Sequence, residues 1–224
     1  EEAVEKIGYP VIIKPIDGAG SADTYRVNNS KQLASVLPLI RHLKEDSTEE
    51  FIDGREFTYD TVCVNGIPKY ENVAEYLPRP LIARSNEWIS PIIITVKELD
   101  QKPIKQGIKL GRGVLKALKM GTGFTHMEWY LTPKGEVVFG EIGCRPGGAH
   151  LVDQMNYSSD IDLYREWARA ACWEDVRIKN PRMYNVAIIF KRAMGKGKIT
   201  KTAGLRSFIG KYGKSVVVEN LLKP

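Results

Sequence analysis

Apolar and polar positions recur with different periods along this chain, and the changes of period mark its elements. Val11-Ile12-Ile13 is a β-branched apolar run closed by Lys14-Pro15, which predicts a short buried strand after a helix end over residues 1–6 and a break at Gly8. A return strand over 24–27 makes a hairpin tipped by Asp17-Gly18-Ala19-Gly20-Ser21. Asn29-Ser30 caps a helix over 31–44, with Leu33, Val36, Leu37 and Ile40 on one face and Pro38 placed to kink or split it. A short strand from Glu49 turns at Asp53-Gly54 into a longer one through Val64, in which Thr58, Asp60 and Val62 alternate with Tyr59, Thr61 and Cys63. Asn65-Gly66 marks a hairpin returning over 69–74. Residues 76–90 mix prolines, arginines and aromatics without a period and read as a loop before a strand over 91–96. Pro103 opens a helix to Lys119, with Ile104, Ile108, Val114, Leu115 and Leu118 near one face and Lys105, Lys109, Arg112 and Lys116 on the other. Strands over 124–131 and 136–142 flank the turn Thr132-Pro133-Lys134-Gly135. A helix over 161–172 capped by Asp160, a strand over 183–192, and short strands alternating with glycine turns over 199–224 complete the chain.

The hairpin at 124–142 carries two carboxylates within an apolar pattern. Symmetric pairing about its turn sets Leu131 opposite Glu136, Glu128 opposite Phe139, and His126 opposite Glu141. Glu128 and Glu141 then share a face as diagonal neighbours, roughly 7–8 Å apart at Cα. Two converging carboxylates suit a hard cation such as Mg²⁺ or Mn²⁺, whereas a bulge would turn one of them to the other face. The alternative is a solvated hairpin face with two ordinary glutamates. Lys14 is likewise open to two readings: it snorkels to solvent, or it serves the glycine-rich turn beside it, whose N–H groups can approach phosphate oxygens. That turn is neither a Walker A loop, since no GK[ST] follows, nor GxGxxG.

Composition narrows the class. The 224 residues are 43% hydrophobic and 27% charged, ordinary for a globular protein with a substantial core. Three cysteines without a CxxC pair argue against a disulfide framework or structural zinc and fit a reducing cytoplasm. No apolar run approaches the roughly 20 residues of a membrane span, and no signal peptide opens the chain. The net charge of +6 is scattered, and its one basic helical stripe lacks interleaved aromatics, which speaks against a nucleic-acid partner. The first residue is Glu1, not methionine, so a fragment or processed chain is expected.

Three ordered stretches, IGYPVIIKPIDGAGS, EEFIDGREFT and HMEWYLTPKGEVVFGEIGCRPGG, together resemble the ATP-grasp superfamily. The HxE…ExxxRxGG signature is most similar to the L-amino-acid ligase branch, and the likeness spans residues 1–169. The resemblance implies an α+β fold, two subdomains clasping ATP between antiparallel sheets: a small one over 1–53, a large one over 54–175, and a β-rich extension over 176–224. It implies that Lys14 contacts the ATP phosphates and that Gly18, Ala19, Gly20 and Ser21 close over them. Glu49 would meet the adenine amino group, backbone atoms of Glu50 and Ile52 the adenine edge, and Glu56 the ribose hydroxyls. Glu128 and Glu141 match the Mg²⁺ carboxylates, and Arg145 a catalytic cation near the transferred phosphate. The implied activity joins a carboxylate to an amine through an acyl phosphate, with amino acids as small-molecule substrates; a homodimer stays open. An ATP-binding fragment or regulatory module without catalysis is the alternative. Gly143 stands where many members have a metal-binding Asn, and a further phosphate lysine with its preceding domain has no counterpart here. Arg79 and Arg84 are candidates for a substrate carboxylate, His126 has a packing or a substrate role, and Cys144 is expected to pack.

Overall fold

Two antiparallel sheets, one of three strands and one of six, carry the protein; the computed structural model describes residues 2–16, 21–178, 182–193, 195 and 197–220. In the small sheet β1 (Val11–Pro15) lies between β2 (Tyr25–Val27) and β3 (Asp46–Glu50). Val11 and Ile13 point inward with Val27 and meet Val4 of α1 (Glu2–Ile7) and Leu33 and Val36 of α2 (Ser30–Val36). The alternate residues Ile12 and Lys14 stand over Glu49 and Ser47 of β3. The Asn29 side chain caps α2 by accepting from the Gln32 N–H at 2.9 Å. The helix ends at Val36, shorter than its apolar spacing predicts, because Pro38 has no N–H to continue the ladder, although Leu37 still keeps helical angles and bonds to the Leu33 carbonyl. Ile40 still reaches the same core from the turns beyond.

The large sheet has the order β8-β7-β4-β5-β6-β9. Its strands are β4 (Arg55–Val64), β5 (Ile67–Leu77), β6 (Ile92–Thr95), β7 (Gly123–Leu131), β8 (Val137–Gly143) and β9 (Ala187–Ile189). On one face Phe57, Tyr59, Met127 and Trp129 pack against Ile104, Ile108 and Leu115 of α4 (Lys102–Ala117). Phe57 and Trp129 stack with ring centroids 4.6 Å apart. Gly107 and Gly111 let α4 lie directly on that face, since a Cβ on either would overlap the Trp129 or the Tyr59 ring. The other face is divided. Val62, Val64, Tyr70, Ala74 and Phe124 pack under α5 (Leu151–Ser159) and α6 (Leu163–Trp173). The rest of that face is polar yet buried: Glu56, Thr58, Asp60, Asn72 and His126.

Several elements depart from the periodic pattern. The stretch expected as a loop contains the end of β5 and a short helix, α3 (Pro80–Ser85), opened by its proline. Helix α5 has no clean apolar stripe because Gln154, Ser158 and Ser159 are buried on tertiary hydrogen bonds, Gln154 Nε2 donating to the Ile93 and Val186 carbonyls at 2.7 and 2.6 Å. Asp160 closes α5 in left-handed geometry, and Asp162 instead caps α6 by accepting from the Arg165 N–H. The C-terminal extension is not β-rich among the described residues. It contributes the three-residue β9, paired with β6, and then α7 (Leu205–Tyr212), whose Leu205, Phe208, Ile209 and Tyr212 fall at helical spacing.

Candidate active site

The two hairpin carboxylates meet, by a route other than symmetric pairing. β8 leaves the turn with Leu131 opposite Val137 and Trp129 opposite Phe139, one residue away from the expected register. Continued unbroken, that register would set Glu128 against Gly140 and turn Glu141 to the other face. A bulge intervenes between Trp129 and Glu128, after which Glu128 stands directly opposite Glu141 and His126 opposite Gly143. The bulge that was expected to separate the carboxylates is what aligns them. Gly140 makes it possible: a Cβ there would lie 2.9 Å from the Glu128 carbonyl oxygen. Directly opposed residues carry Cβ atoms about 4.5–5.5 Å apart, closer than the diagonal pair first inferred.

β4 supplies the ground beneath them, with Thr58 opposite Glu128 and Asp60 opposite His126. His126 Nδ1 lies 2.6 Å from Asp60 Oδ1, while the other Asp60 oxygen accepts from Thr58 Oγ1 at 2.8 Å and Asn72 Nδ2 at 3.3 Å. His126 Nε2 faces Glu128 Oε1 at 3.6 Å, and the Tyr76 hydroxyl donates to the same oxygen at 3.0 Å. Burial alone would lower the His126 pKa, but Asp60 and Glu128 outweigh it and push it up to about 10, so the imidazole is a cation at neutral pH. Burial would also raise Glu128; hydrogen bonding and charge from His126, with Tyr76 and Lys14, hold it below the ordinary value instead. Burial and the neighbouring Glu128 drive Tyr76 well above its ordinary value.

Lys14 joins the two sheets. Its Nζ lies 2.8 Å from Glu141 Oε2 and 3.2 Å from Glu49 Oε2, and Glu49 is steadied by the Ser47 hydroxyl at 3.0 Å. Burial opposes its charge, yet Glu141 and Glu49 keep its pKa above the usual 10.5. Glu50 ends β3 opposite Val11 and is exposed. The Ile52 carbonyl accepts from Arg79 Nη1 at 2.8 Å, and Arg79 Nε lies 3.2 Å from Glu56 Oε2. Burial, then Glu128, pushes Glu56 up to about 8 against the opposing Arg79. Arg145 is exposed, folded over Gly143 with its Nη1 donating to the Pro146 carbonyl at 3.0 Å. Ser21 begins the return toward β2 with φ +56°. Gly18, Ala19 and Gly20 lie outside the described residues.

Lys14, Glu49, Glu128 and Glu141 thus converge, with Glu56 farther along the same sheet face and Arg145 at its rim. Sequence reasoning missed Asp60, Tyr76 and the hinge position of Arg79. Asp60 left a signal, a carboxylate in mid-strand among aromatic and β-branched residues; Tyr76 left none. Arg79 is committed to Glu56 and Ile52 and does not reach outward for a substrate carboxylate. Cys144 is exposed, its thiol directed at the Met120 sulfur 3.9 Å away. Among the described residues no three His, Cys, Asp or Glu side chains form a metal-binding group. Two carboxylates nonetheless fit Mg²⁺, which takes one or two and completes its shell with phosphates and water. The Lys14 ammonium resting on Glu141 shows that this carboxylate accepts a cation. A separate open groove of about 710 Å³ lies beside the hairpin turn, lined by Asp53, Arg55, Lys102 and Lys134 among others, apart from these carboxylates.

Comparison with known proteins gives the family and the fold. Residues 7–153 match the model of the ATP-grasp domain. The chain is 26% identical over 180 residues to the L-arginine-specific L-amino acid ligase of Bacillus subtilis, covering 77% of this chain and 43% of that protein. It is 28% identical over 156 residues to the D-alanine–D-alanine ligase of Fervidobacterium nodosum, covering 66% and 48%. The crystal structure of an L-amino acid ligase from Bacillus licheniformis superimposes with a TM-score of 0.60 at 23% identity, over 76% of this chain and 40% of that one. A carboxyaminoimidazole ribonucleotide synthase from Aspergillus clavatus, complexed with ATP, gives 0.67 at 13% identity over 83% and 47%. The α+β ATP-grasp architecture is therefore the fold of this chain, which spans less than half the length of these relatives. No helix among the described residues is long and apolar enough to cross a membrane.

Proposed function

The chain belongs to the ATP-grasp family, and from that premise we propose that it carries the nucleotide and metal site of an ATP-dependent carboxylate–amine ligase. The observation that carries this reading is the opposition of Glu128 and Glu141 on one sheet face with the Lys14 ammonium reaching Glu141 from the other sheet. The substrates are a small carboxylate and a small amine, taken to be amino acids because the L-arginine-specific ligase and the D-alanine–D-alanine ligase are among the relatives.

In this reading a substrate carboxylate oxygen attacks the terminal phosphorus of ATP, ADP departs, and the amine then displaces phosphate from the acyl phosphate with loss of a proton. Glu128 and Glu141 would hold Mg²⁺, which when bound draws charge from the phosphate oxygens. Lys14 exchanges its carboxylate partners for phosphate oxygens. Asp60, His126 and Tyr76 keep Glu128 ionised and aimed, a role that favours the packing side of the His126 alternative. Glu56 faces the ribose, backbone atoms of Glu50 and Ile52 with the Glu49 carboxylate face the base, and Gly18, Gly20 and Ser21 cover the phosphates. Arg145 at the rim offsets charge on the transferred group, its fork suited to phosphate oxygens. Gly143 has no side chain to offer, so phosphate and water would complete the shell of a bound Mg²⁺.

Glu141→Gln tests the reading. Glu141 is exposed, so folding is expected to change by less than about 0.5 kcal/mol. ADP release from ATP with mixed amino acids is expected to fall at least about 100-fold, the scale of losing one preorganised electrostatic contact; retained turnover overturns the metal assignment. The share of the relatives' length that is matched favours a second reading, a nucleotide-binding unit not catalytic by itself. ATP binding by the 224-residue chain without ADP release would select it.

A further inference from the structure

Arg79 occupies an unusual place for a cation. It stands between Pro78 and Pro80, and its side chain is 9% exposed beside a Glu56 carboxylate that is 5% exposed. Its Nε meets Glu56 Oε2 at 3.2 Å and its Nη1 donates to the Ile52 carbonyl at 2.8 Å. The guanidinium carbon lies 5.0 Å from the centre of the Phe51 ring and 4.8 Å from that of Tyr130, while Arg26 of the small sheet covers Phe51 at 3.9 Å. One side chain therefore ties the segment that joins the two sheets, Phe51 and Ile52, to the floor of the larger one, Glu56 and Tyr130. A flat, delocalised cation suits a slot between two rings, and its fork fixes two acceptors at once.

We propose that Arg79 is a positioning residue for nucleoside recognition, holding Glu56 against the hinge and thereby setting how strongly the site prefers a nucleotide that carries ribose hydroxyls. The inference rests on Glu56 as the ribose-facing carboxylate, the reading given above. Three features support it. Arg79 is bonded on two sides, so it restrains where Glu56 points. Arg79 opposes the burial and the Glu128 charge that together raise Glu56 to about 8, so its loss would drive the carboxyl further toward the neutral acid. A charged acceptor makes a markedly stronger hydrogen bond than a neutral one.

The test measures affinities of the full chain for MgATP and for Mg-2′,3′-dideoxyATP, which lacks both ribose hydroxyls, in the wild type, Arg79→Met, Arg79→Gln and Glu56→Gln. At pH 9, above the Glu56 value of about 8, the wild type is expected to favour ATP about tenfold, the worth of one charge-assisted bond. In Arg79→Met that preference should collapse toward unity through weaker ATP binding, with dideoxyATP changed much less. Equal weakening of both nucleotides would make Arg79 a hinge prop alone and overturn the proposal. Tighter binding of both would show that Arg79 obstructs the seat and would overturn it too. If Arg79→Met does not fold, Arg79→Gln decides on the same ratio. Glu56→Gln separates the two layers. If it collapses the preference and the Arg79 variants do not, this inference alone fails; if it leaves the preference intact, the assignment of Glu56 to the ribose fails first.

Discussion

Asp60 concentrates much of the chemistry of this face in one buried carboxylate. It lies mid-strand in β4 and is fully buried, accepting from Thr58 and Asn72 while it holds His126 at 2.6 Å. Removing one partner of such a pair leaves the other as an uncompensated buried charge. Asp60→Ala is therefore expected to cost about 3–5 kcal/mol, read from the midpoint of urea denaturation at constant slope. A cost below about 1 kcal/mol would show that His126 is not held as a cation. Lys14 shows the opposite case. Its partners Glu49 and Glu141 are about half exposed, so the contacts add little to stability and leave the ammonium available to a more strongly charged ligand. At this scale the sequence was informative wherever a residue broke a local pattern, as Lys14 does at the end of an apolar run. Tyr76 broke no pattern, and its hydroxyl became relevant only when β5 was laid beside β4.

Among the elements, α4 and the β7–β8 hairpin show glycine used for close approach. Gly107 lies against the indole of Trp129, which is itself stacked on Phe57, whereas a Cβ on Gly113 would meet nothing within 4 Å. Both are helical, so alanine gains about 1 kcal/mol of intrinsic propensity at either. At Gly113 that gain stands alone, and Gly113→Ala is expected to stabilise by up to about 1 kcal/mol. At Gly107 the new methyl meets a buried ring with no room to move, and overpacking of about 1–3 kcal/mol outweighs the gain. Opposite signs in thermal denaturation of the two variants would bear this out; two stabilising substitutions would show that α4 rides higher on the sheet. Gly140 serves the hairpin in the same way, allowing the bulge that realigns Glu141. Element existence was largely legible in the sequence: β1, β4, β7, β8, α4 and α6 follow from period and caps. Helix α5 was not, because polar residues satisfied by distant carbonyls interrupt its stripe. The helical spacing of α7 is present in the sequence, but the glycines around it suggested turns.

For the whole molecule, the candidate site lies between two sheets linked, among the described residues, by Lys14 reaching across to Glu141 and by Arg79, which binds the segment between the sheets to the floor. A ligand that bonds to both should stabilise the pair together, by about 2.7 kcal/mol at a hundred times its dissociation constant. If, as proposed, a cation at Glu128 and Glu141 holds the phosphates, the rise in melting temperature with ATP and Mg²⁺ should shrink to a small fraction when EDTA is present. An equal rise with and without EDTA would place the nucleotide on Lys14 and backbone groups alone.

What the sequence by itself determined is which residues could share a face. The two-residue period of a strand puts Glu56, Thr58 and Asp60 on one side of β4, and Glu128 with His126 on one side of β7, whatever surrounds them. The order of three motifs along the chain likewise pointed to the ATP-grasp family without any knowledge of shape. What only the tertiary structure decided is offset and partnership. A period of two is blind to how far one strand slides against the next, so the register of the hairpin, and with it the meeting of Glu128 and Glu141, waited on a bulge set by the packing of Gly140 against the Glu128 backbone. The charge of His126 and Glu56 depends in the same way on which groups tertiary packing brings within a few ångströms of them, since Coulombic coupling follows distance in space and not separation along the chain.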